Sequence, residues 1–381
     1  MRSRTVYLDH AATSFPKPQC VIKEVTRAMR QCGNPGRGSH SLAVAAAEAI
    51  YDCRERAAHM FGAEPERVIL TMNATHALNM AIKGFLREDD HVLISDMEHN
   101  SVLRPVYKLQ ERGVSFDVYG SFGGSEERVL DSISEKLREN TRMIIANHAS
   151  NISNITLPIE SIGKFCRERG IIFIVDASQS AGRLPIDVKA MNIDALCMPG
   201  HKGLMGPQGS GLLILGDGVE LPDTFIEGGS GSNSLDLNMP DDLPDHLEGG
   251  TLMTPAAAGL AAGIEWVGKI GIDCISRHEN YLGGVMRREL SGIDGITIYG
   301  SFRPGPITLF GVHGYTPAEV GRFLDSRGIC VRDGFHCSPL AHASLGTGEN
   351  GAVRASVGYE NTLQDVERFI DAVRELVKRK K

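Results

Sequence analysis

The feature that most constrains the fold is a regular alternation of short apolar runs and amphipathic stretches between about residues 65 and 215. Short apolar runs bounded by polar residues or glycine predict strands, and apolar residues spaced three to four apart predict helices. Strands are predicted at 68–71, 91–95, 115–118, 143–147, 171–176, 195–198 and 211–215. Helices are predicted at 77–86, 102–111, 127–139 and 159–170. This order predicts an α/β fold with a mainly parallel sheet covered by helices on both faces.

Composition and charge exclude several classes of function. The 381 residues carry a formal net charge of −7, which disfavours a non-specific binder of nucleic acid or of anionic membranes. No apolar run approaches the roughly 18 residues of a membrane-spanning helix, and the first residues lack the apolar segment of a signal peptide. The 8 cysteines include no Cys-x-x-Cys pair, which argues against a zinc cluster and a disulfide framework. We therefore expect a cytoplasmic enzyme.

The alternation stops at residues 216–250, which form a polar loop with a glycine- and serine-rich stretch at 228–234. Loops of this length inside a compact protein are usually functional or mobile. A helix rich in alanine and glycine is predicted at about 255–270. The pattern after it (helix, strand, strand, helix, strand, strand, helix) predicts an α+β unit.

Two residues of this strand–helix pattern suggest a specific chemistry. Asp176 ends a buried strand, which places a carboxylate at the edge of the sheet where ligands of α/β proteins bind. Lys202 follows 26 positions later in a polar, glycine-flanked segment that no packing pattern explains. Pyridoxal phosphate chemistry needs such a pair, since a lysine amine binds the cofactor covalently and a carboxylate keeps the pyridine nitrogen protonated. Alone, each residue is weak evidence, because an aspartate can cap a helix and a lysine can be a solvated surface residue.

Three motifs in this order resemble a known family. They are Met198-Pro199-Gly200-His201-Lys202, Val175-Asp176-Ala177-Ser178-Gln179-Ser180 and Phe335-His336-Cys337. Together they resemble the class V aminotransferases, and within them the cysteine desulfurases with a short catalytic loop, which include selenocysteine lyases. The resemblance runs from Tyr7-Leu8-Asp9-His10-Ala11-Ala12-Thr13 to the final helix, and Arg37-Gly38-Ser39-His40 resembles the family's Arg-Gly-x-His segment.

The resemblance implies the fold-type I architecture of pyridoxal phosphate enzymes. We expect a large cofactor domain of residues 16–255 with a mainly parallel, seven-stranded sheet. Residues 1–15 and 256–381 are expected to form a small α+β domain. Enzymes of this type are similar in being homodimers with active sites at the interface, so a homodimer is expected.

The family's site residues can be transferred position by position. Lys202 matches the lysine that binds pyridoxal 5′-phosphate, Asp176 its pyridinium partner and Gln179 the donor to the ring's phenolic oxygen. His99 matches the histidine that stacks on the cofactor ring, and this match also makes His99 a candidate catalytic residue. The resemblance implies that the phosphate is bound by Ala74, Thr75, His201 and, from the other subunit, Thr251. It implies that the amino acid substrate is bound by Ala12, Asn151, Arg332 and Arg354.

The chain departs from the family at Pro199, where many relatives carry a serine that donates to the phosphate. Proline has no donor, so one phosphate hydrogen bond must come from elsewhere, such as Ser210 or a backbone amide.

Cys337 discriminates between possible activities. A persulfide mechanism needs an accessible thiolate, and the polar loop around Cys337 does not favour burial. The prediction is a desulfurase that converts L-cysteine to L-alanine and holds the sulfur on Cys337. Only 16 residues separate Cys337 from Arg354, so the loop is short and resembles those that need a sulfur-acceptor protein. Two alternatives remain open: a lyase acting on L-selenocysteine, and an aminotransferase or epimerase without sulfur transfer.

Overall fold

A computed structural model describes residues 5–36, 38–232, 234–300 and 303–379. Arg37 of the Arg-Gly-x-His segment lies outside the described residues. Within them, no helix is long and apolar enough to cross a membrane.

Within the described residues, the strands form three sheets of seven, four and two strands. They are β1 (Val6–Tyr7), β2 (Val68–Thr71), β3 (His91–Ser95), β4 (Ser115–Tyr119), β5 (Thr141–Asn147), β6 (Ile172–Asp176), β7 (Ala195–Pro199), β8 (Gly211–Leu215), β9 (Ile296–Tyr299), β10 (Ile307–Val312), β11 (Ile329–Cys330), β12 (Arg332–Gly334) and β13 (Ala352–Ser356). The seven predicted strands are confirmed as β2 to β8, each with bounds within two residues of the predicted ones. They form one sheet in the order β2-β8-β7-β6-β5-β3-β4, in which only β8 runs antiparallel to its neighbours.

The helices surround this sheet and the smaller four-stranded one. They are α1 (Gln19–Gln31), α2 (Ser41–Phe61), α3 (Ala74–Phe85), α4 (Asn100–Leu109), α5 (Glu126–Glu135), α6 (Ile159–Arg167), α7 (Thr254–Ile270), α8 (Ile272–Ser291), α9 (Pro317–Asp325), α10 (Pro339–Leu345) and α11 (Leu363–Lys378). The sequence did not predict α1 and α2. Both pack with α7 through small side chains at Ala28, Ala49 and Ala258, which give a weaker periodic signal than large apolar residues.

The large sheet separates two apolar cores, as expected for a sheet covered on both faces. On β6, Phe173 and Val175 enter one core, whereas Ile172 and Ile174 enter the other. This alternation is the period-two geometry of a strand, and it leaves only the strand ends free for polar side chains. Asp176 is such an end.

A second, smaller unit contains strands from both the N-terminal and the C-terminal parts of the chain. Strand β1 pairs in parallel with β11, and the four-stranded sheet has the order β12-β13-β10-β9 with antiparallel neighbours. The predicted α+β pattern omitted α10, a seven-residue helix that begins at Pro339 directly after the cysteine-bearing loop. A helix of this length has too few turns for its apolar spacing to stand out. The division of the chain after residues 15 and 255 stays a prediction.

Candidate active site

A cavity of about 290 Å³ lies at the carboxyl ends of the parallel strands. Asn147 ends β5, Asp176 ends β6 and Pro199 ends β7, and all three side chains line it. Lys202 reaches it from the loop after β7. Its volume is at the lower limit of small-molecule sites, which run from about 300 to 1,000 Å³. The sheet therefore brings the predicted acid and lysine to one chamber.

Lys202 is half-buried in this cavity, and its surroundings favour the neutral amine. Burial lowers the pKa of Lys202 from 10.5 to about 8, while the negative charge of Asp176 opposes this shift. The loop around Lys202 needs glycine because it runs close to residues 177–182. A Cβ on Gly203 would lie 2.3 Å from the carbonyl oxygen of Ala181. The glycine flank that stood out in the sequence thus has a steric cause.

Asp176 is 2% exposed and held in a fixed orientation. Its Oδ1 accepts a hydrogen bond of 2.9 Å from the amide of Ser178, which follows the strand. Next to it, Gln179 donates through Nε2 to the carbonyl oxygen of Ala11 at 2.8 Å. Ala12 lines the cavity beside these residues. The N-terminal segment therefore forms one wall of the site.

Helix α3 begins at the cavity and offers an anion site. Asn73 caps it by accepting from the amide of His76 at 2.9 Å, and it lines the cavity together with Ala74 and Thr75. The amides of the first helical turn have no partner within the helix, and the helix dipole makes this end positive. Thr75 Oγ1 lies 2.7 Å from Ser101 Oγ, so two hydroxyls join the amides. This arrangement fits a phosphate.

His99 caps α4 and presents a neutral ring. Its Nδ1 accepts from the amide of Ser101 at 3.1 Å, which leaves the proton of a neutral imidazole on Nε2. Burial lowers the pKa of His99 to about 4, with the charge of Asp176 opposing it. His201 behaves similarly: burial lowers its pKa to about 4, and its Nδ1 lies 3.1 Å from Thr13 Oγ1. Both histidines are therefore uncharged near pH 7.

Two polar residues at this end of the sheet were missed from the sequence. Glu98 is completely buried, accepts from Ser95 Oγ at 2.6 Å and from the Asn147 amide at 2.7 Å, and burial raises its pKa to about 8. Asn147 has a buried Oδ1 without a hydrogen-bond partner among the described residues. Since Asn147 ends a buried strand as Asp176 does, the same signal could have found it.

Arg354 lies on β13 and is 1% exposed. Its guanidinium donates to Asp9 Oδ1 at 2.7 Å and to the carbonyl oxygen of Asn151 at 2.9 Å. The Arg354 Nε is buried without a hydrogen-bond partner among the described residues. Burial lowers the pKa of Arg354, and Asp9 opposes that effect. Asp9, which the sequence did not single out as a partner, therefore holds the predicted carboxylate-binding arginine.

The cysteine-bearing loop is braced on several sides. Asn151 donates through Nδ2 to the His336 carbonyl oxygen at 2.9 Å and accepts from Ser338 Oγ at 2.7 Å. The His336 ring lies 3.0 Å from the His342 ring through Nδ1 and Nε2. His336 and Cys337 have φ values of +51° and +59°, a left-handed conformation that costs a non-glycine residue about 1–2 kcal/mol. These contacts hold that conformation in place.

The structure does not place Cys337 in the cavity that contains Lys202. Cys337 is exposed and lines an adjoining pocket of about 370 Å³, to which His99, Thr75 and Ser101 also contribute. Arg332 lines the lysine cavity, yet its Nη2 lies 3.9 Å from Cys337 Sγ. The pocket that contains Cys337 therefore shares a wall with the cavity that contains Lys202, and Arg332 contacts both the cavity and the thiol.

Most of the predicted site residues meet in the described cavity. Those that line it are Ala12, Ala74, Thr75, His99, Asn151, Asp176, Gln179, His201, Lys202, Arg332 and Arg354. Thr251 is exposed and does not line this cavity in its own chain. Ser210, suggested as a replacement at Pro199, instead donates to the Pro207 carbonyl oxygen at 2.6 Å, and Ser101 and Asn73 line the cavity nearby. The individual roles remain predictions.

Comparison with known proteins identifies the family. The family model for class V aminotransferases matches residues 6–369. The chain belongs to this family. It is 33% identical to a probable cysteine desulfurase of Methanothermobacter thermautotrophicus, over 97% of this chain and 94% of that protein. A probable cysteine desulfurase of Pyrococcus abyssi is also 33% identical, over 99% of this chain and 96% of that protein. The apo structure of a cysteine desulfurase from Thermococcus onnurineus superposes with a TM-score of 0.90 and 29% identity, covering 98% of this chain and 95% of that one. The predicted fold class and family are confirmed.

Proposed function

We propose that this protein is a pyridoxal phosphate-dependent cysteine desulfurase. It converts L-cysteine to L-alanine and keeps the sulfur as a persulfide on Cys337, for delivery to an acceptor protein. The observation that carries the proposal is the position of an exposed cysteine next to the lysine cavity, with Arg332 reaching both. Its full-length similarity to probable cysteine desulfurases supports the same reaction.

The cavity fits pyridoxal phosphate on structural grounds. The α3 N-terminus with Ala74 and Thr75 would hold the phosphate, together with His201. Asp176 would pair with the ring nitrogen, and Gln179 would contact the phenolic oxygen. The buried, unpartnered Oδ1 of Asn147 supports a polar ligand in this cavity. When bound, the cofactor supplies an electron-withdrawing ring that makes the α-proton of an amino acid acidic.

The protein's own residues bind the substrate and move its protons. Arg354 binds the α-carboxylate, for which its rigid fork suits bidentate contact. Asn151 orients the substrate and at the same time braces the cysteine loop. Lys202, with a pKa near 8, can accept a proton at its amine near neutral pH. His99, uncharged near neutral pH, would stack on the cofactor ring.

The overall reaction balances without an external oxidant. The carbon–sulfur bond of L-cysteine breaks, and a sulfur–sulfur bond forms at Cys337. The carbon that loses sulfur gains the proton released by the Cys337 thiol, so L-cysteine and the thiol become L-alanine and a persulfide. Arg332, 3.9 Å from Sγ, can stabilise negative charge on the sulfur during transfer.

Two further parts of the proposal concern assembly and location. The protein acts as a homodimer, in which Thr251 of one protomer reaches the phosphate held by its partner. The exposure of Thr251 outside its own cavity supports this arrangement. The composition and the scattered cysteines favour the cytoplasm.

The test compares two exposed cysteines. The protein, reconstituted with pyridoxal phosphate, is incubated with L-cysteine, and alanine and protein-bound sulfur are measured. Cys337→Ser should abolish alanine release and leave the cofactor spectrum unchanged, whereas Cys274→Ser should behave as wild type. Added sulfur should appear by mass spectrometry on Cys337. Alanine release by Cys337→Ser at the wild-type rate would refute the proposal in favour of transamination or epimerisation.

A parallel incubation with L-selenocysteine tests the nearest alternative. A selenocysteine lyase would release alanine from selenocysteine even in Cys337→Ser, because selenium leaves more easily without a thiol to receive it. A desulfurase would release alanine from L-cysteine in the wild type and lose that turnover completely in Cys337→Ser, whereas a selenocysteine lyase would release no alanine from L-cysteine in either protein.

A further inference from the structure

The pocket beside Cys337 opens into a groove between two helices. On α3, Asn79 and Lys83 follow Thr75 at four-residue intervals, and on α4, Arg104 and Lys108 follow Asn100 in the same way. Residues four apart share one helix face, so each set forms one wall. We call this feature the basic groove: Asn79, Lys83, Arg104 and Lys108, with Cys337 at the end where both helices begin.

The charge of the basic groove is opposite to that of the chain. Lys83, Arg104 and Lys108 line the pocket that contains Cys337, and no aspartate or glutamate does. The chain as a whole has a net charge of −7. In the described part of the chain, Lys83 and Arg104 have no carboxylate partner, while Lys108 pairs with Glu111 at 2.6 Å. Two cations without a carboxylate partner, in the pocket that also holds Cys337 in an acidic protein, indicate an anionic ligand.

The groove is longer than a small thiol. Lys83 follows Thr75 by eight positions, which is about 12 Å along a helix. Lys83 and Lys108 also line a second pocket of about 500 Å³, which adds Arg112 and Phe225. Two carboxylates line it as well, and both are paired: Glu111 with Lys108 and Asp223 with Arg87. The Lys83 ammonium lies 5.2 Å from the centre of the Phe225 ring. An extended peptide needs about four residues to cover 12 Å, so the dimensions fit a chain segment.

We infer that the basic groove binds the sulfur acceptor, and that the acceptor is a protein with its receiving cysteine in an extended acidic segment. This inference rests on the proposed function. The cysteine lies at the Cys337 end, and acidic side chains within about four residues of it contact Lys83, Arg104 and Lys108. The acceptor thiolate attacks the outer sulfur of the Cys337 persulfide. One sulfur–sulfur bond breaks as another forms, and the proton of the acceptor thiol ends on Cys337, so no oxidant is needed.

The test uses three cysteine peptides that differ only in charge. Each has one cysteine followed by four glutamates, four glutamines or four lysines. Alanine release from L-cysteine is measured against peptide concentration, with dithiothreitol as the uncharged reference acceptor. The glutamate peptide should have a kcat/KM at least about tenfold above the glutamine peptide, and the lysine peptide should be the poorest. The advantage should shrink as salt is raised. Equal values for the three peptides would overturn the inference, as would a small neutral thiol that outperforms the glutamate peptide.

Charge-reversal variants locate the effect on the protein. Lys83→Glu combined with Arg104→Glu should remove the preference for the glutamate peptide and leave turnover with dithiothreitol unchanged. Arg288→Glu is the matched control, because Arg288 is exposed on α8, away from the groove, and its change should preserve the preference. If the double variant keeps the acidic preference, the groove does not bind the acceptor.

A second measurement separates this inference from the proposed function. If L-cysteine places no sulfur on Cys337, the desulfurase proposal fails. The groove is then tested by disulfide exchange of Cys337 with dianionic dithiobis(nitrobenzoate) and with neutral dithiodipyridine, after subtracting the signal of Cys337→Ser. For each protein, the rate with the dianionic reagent is divided by the rate with the neutral one. This ratio should be about tenfold higher in wild type than in the double variant. An unchanged ratio would overturn the basic groove as an anion site.

Discussion

The lowered pKa of Lys202 gives a quantitative prediction for the cofactor-free protein. A lysine with the ordinary pKa of 10.5 is neutral in only about 0.03% of molecules at pH 7, whereas one with a pKa of about 8 is neutral in about 9%. Lys202 should therefore have about 300 times more nucleophilic amine at pH 7 than a solvated lysine. Above pH 10.5 this advantage should disappear, because both amines are then mostly neutral.

Competitive labelling measures this difference directly. The cofactor-free protein is acetylated with a trace of acetic anhydride between pH 6 and 11, and the peptide containing Lys202 is quantified by mass spectrometry. The midpoint of its labelling should lie near pH 8. Asp176→Asn should move the midpoint further down, since the negative charge of Asp176 opposes the effect of burial. Lys202→Arg identifies the peptide signal by removing it.

A midpoint above about pH 9.5 would refute the reasoning, because burial would then not favour the neutral amine. An upward movement in Asp176→Asn would contradict the proposed electrostatic relation between the two residues.

Two other predictions concern buried charges. Glu248 is 6% exposed and binds Arg54 through both carboxylate oxygens, at 3.0 and 2.5 Å, so Glu248→Gln should destabilise the protein by about 3–5 kcal/mol in urea unfolding. The exposed pair of Glu24 and Arg27 is the control, and Glu24→Gln should cost less than about 1 kcal/mol. Arg354→Lys should raise KM for L-cysteine by roughly 10- to 100-fold, since one ammonium replaces a planar fork, and an unchanged KM would remove Arg354 from substrate binding.

The elements that the sequence predicted well are those with a strong local signal. Most strands of the large sheet contain a buried apolar run, so local sequence was enough to find them; β4, which contains Asp117 and is mostly half-buried, has the weakest such run. Helix starts were less accurate, and α3 begins at Ala74 rather than 77 because Asn73 caps it. The short α10 lacks enough turns for a periodic signal. Asp176 and Lys202 are each weak evidence alone, and they were found because both occur in order within one strand–helix pattern together with the other motifs.

The parts of the site that were missed depend on contacts between distant segments. Asp9 and Arg354 are 345 positions apart, and nothing local at either residue indicates the pair. Ser101 joins the site by bonding with Thr75 across two helices. The separation of Cys337 from the lysine cavity depends on the left-handed backbone of a non-glycine residue, which a sequence pattern does not reveal.

Under the proposed function, the wall between the two pockets would link phosphate binding to sulfur delivery. Ser101 Oγ lies 2.7 Å from Thr75 Oγ1 and 2.9 Å from His99 Nδ1, and all three residues face both pockets. Asn100, which lies between His99 and Ser101 in the chain, donates a hydrogen bond from its amide to the Cys337 carbonyl oxygen at 2.7 Å. A phosphate bound at Thr75, as proposed, would contact the same short network that holds the cysteine backbone. In the proposed reaction, Cys337 would take sulfur from a substrate on the Lys202 side of this wall and deliver it on the side where the basic groove begins.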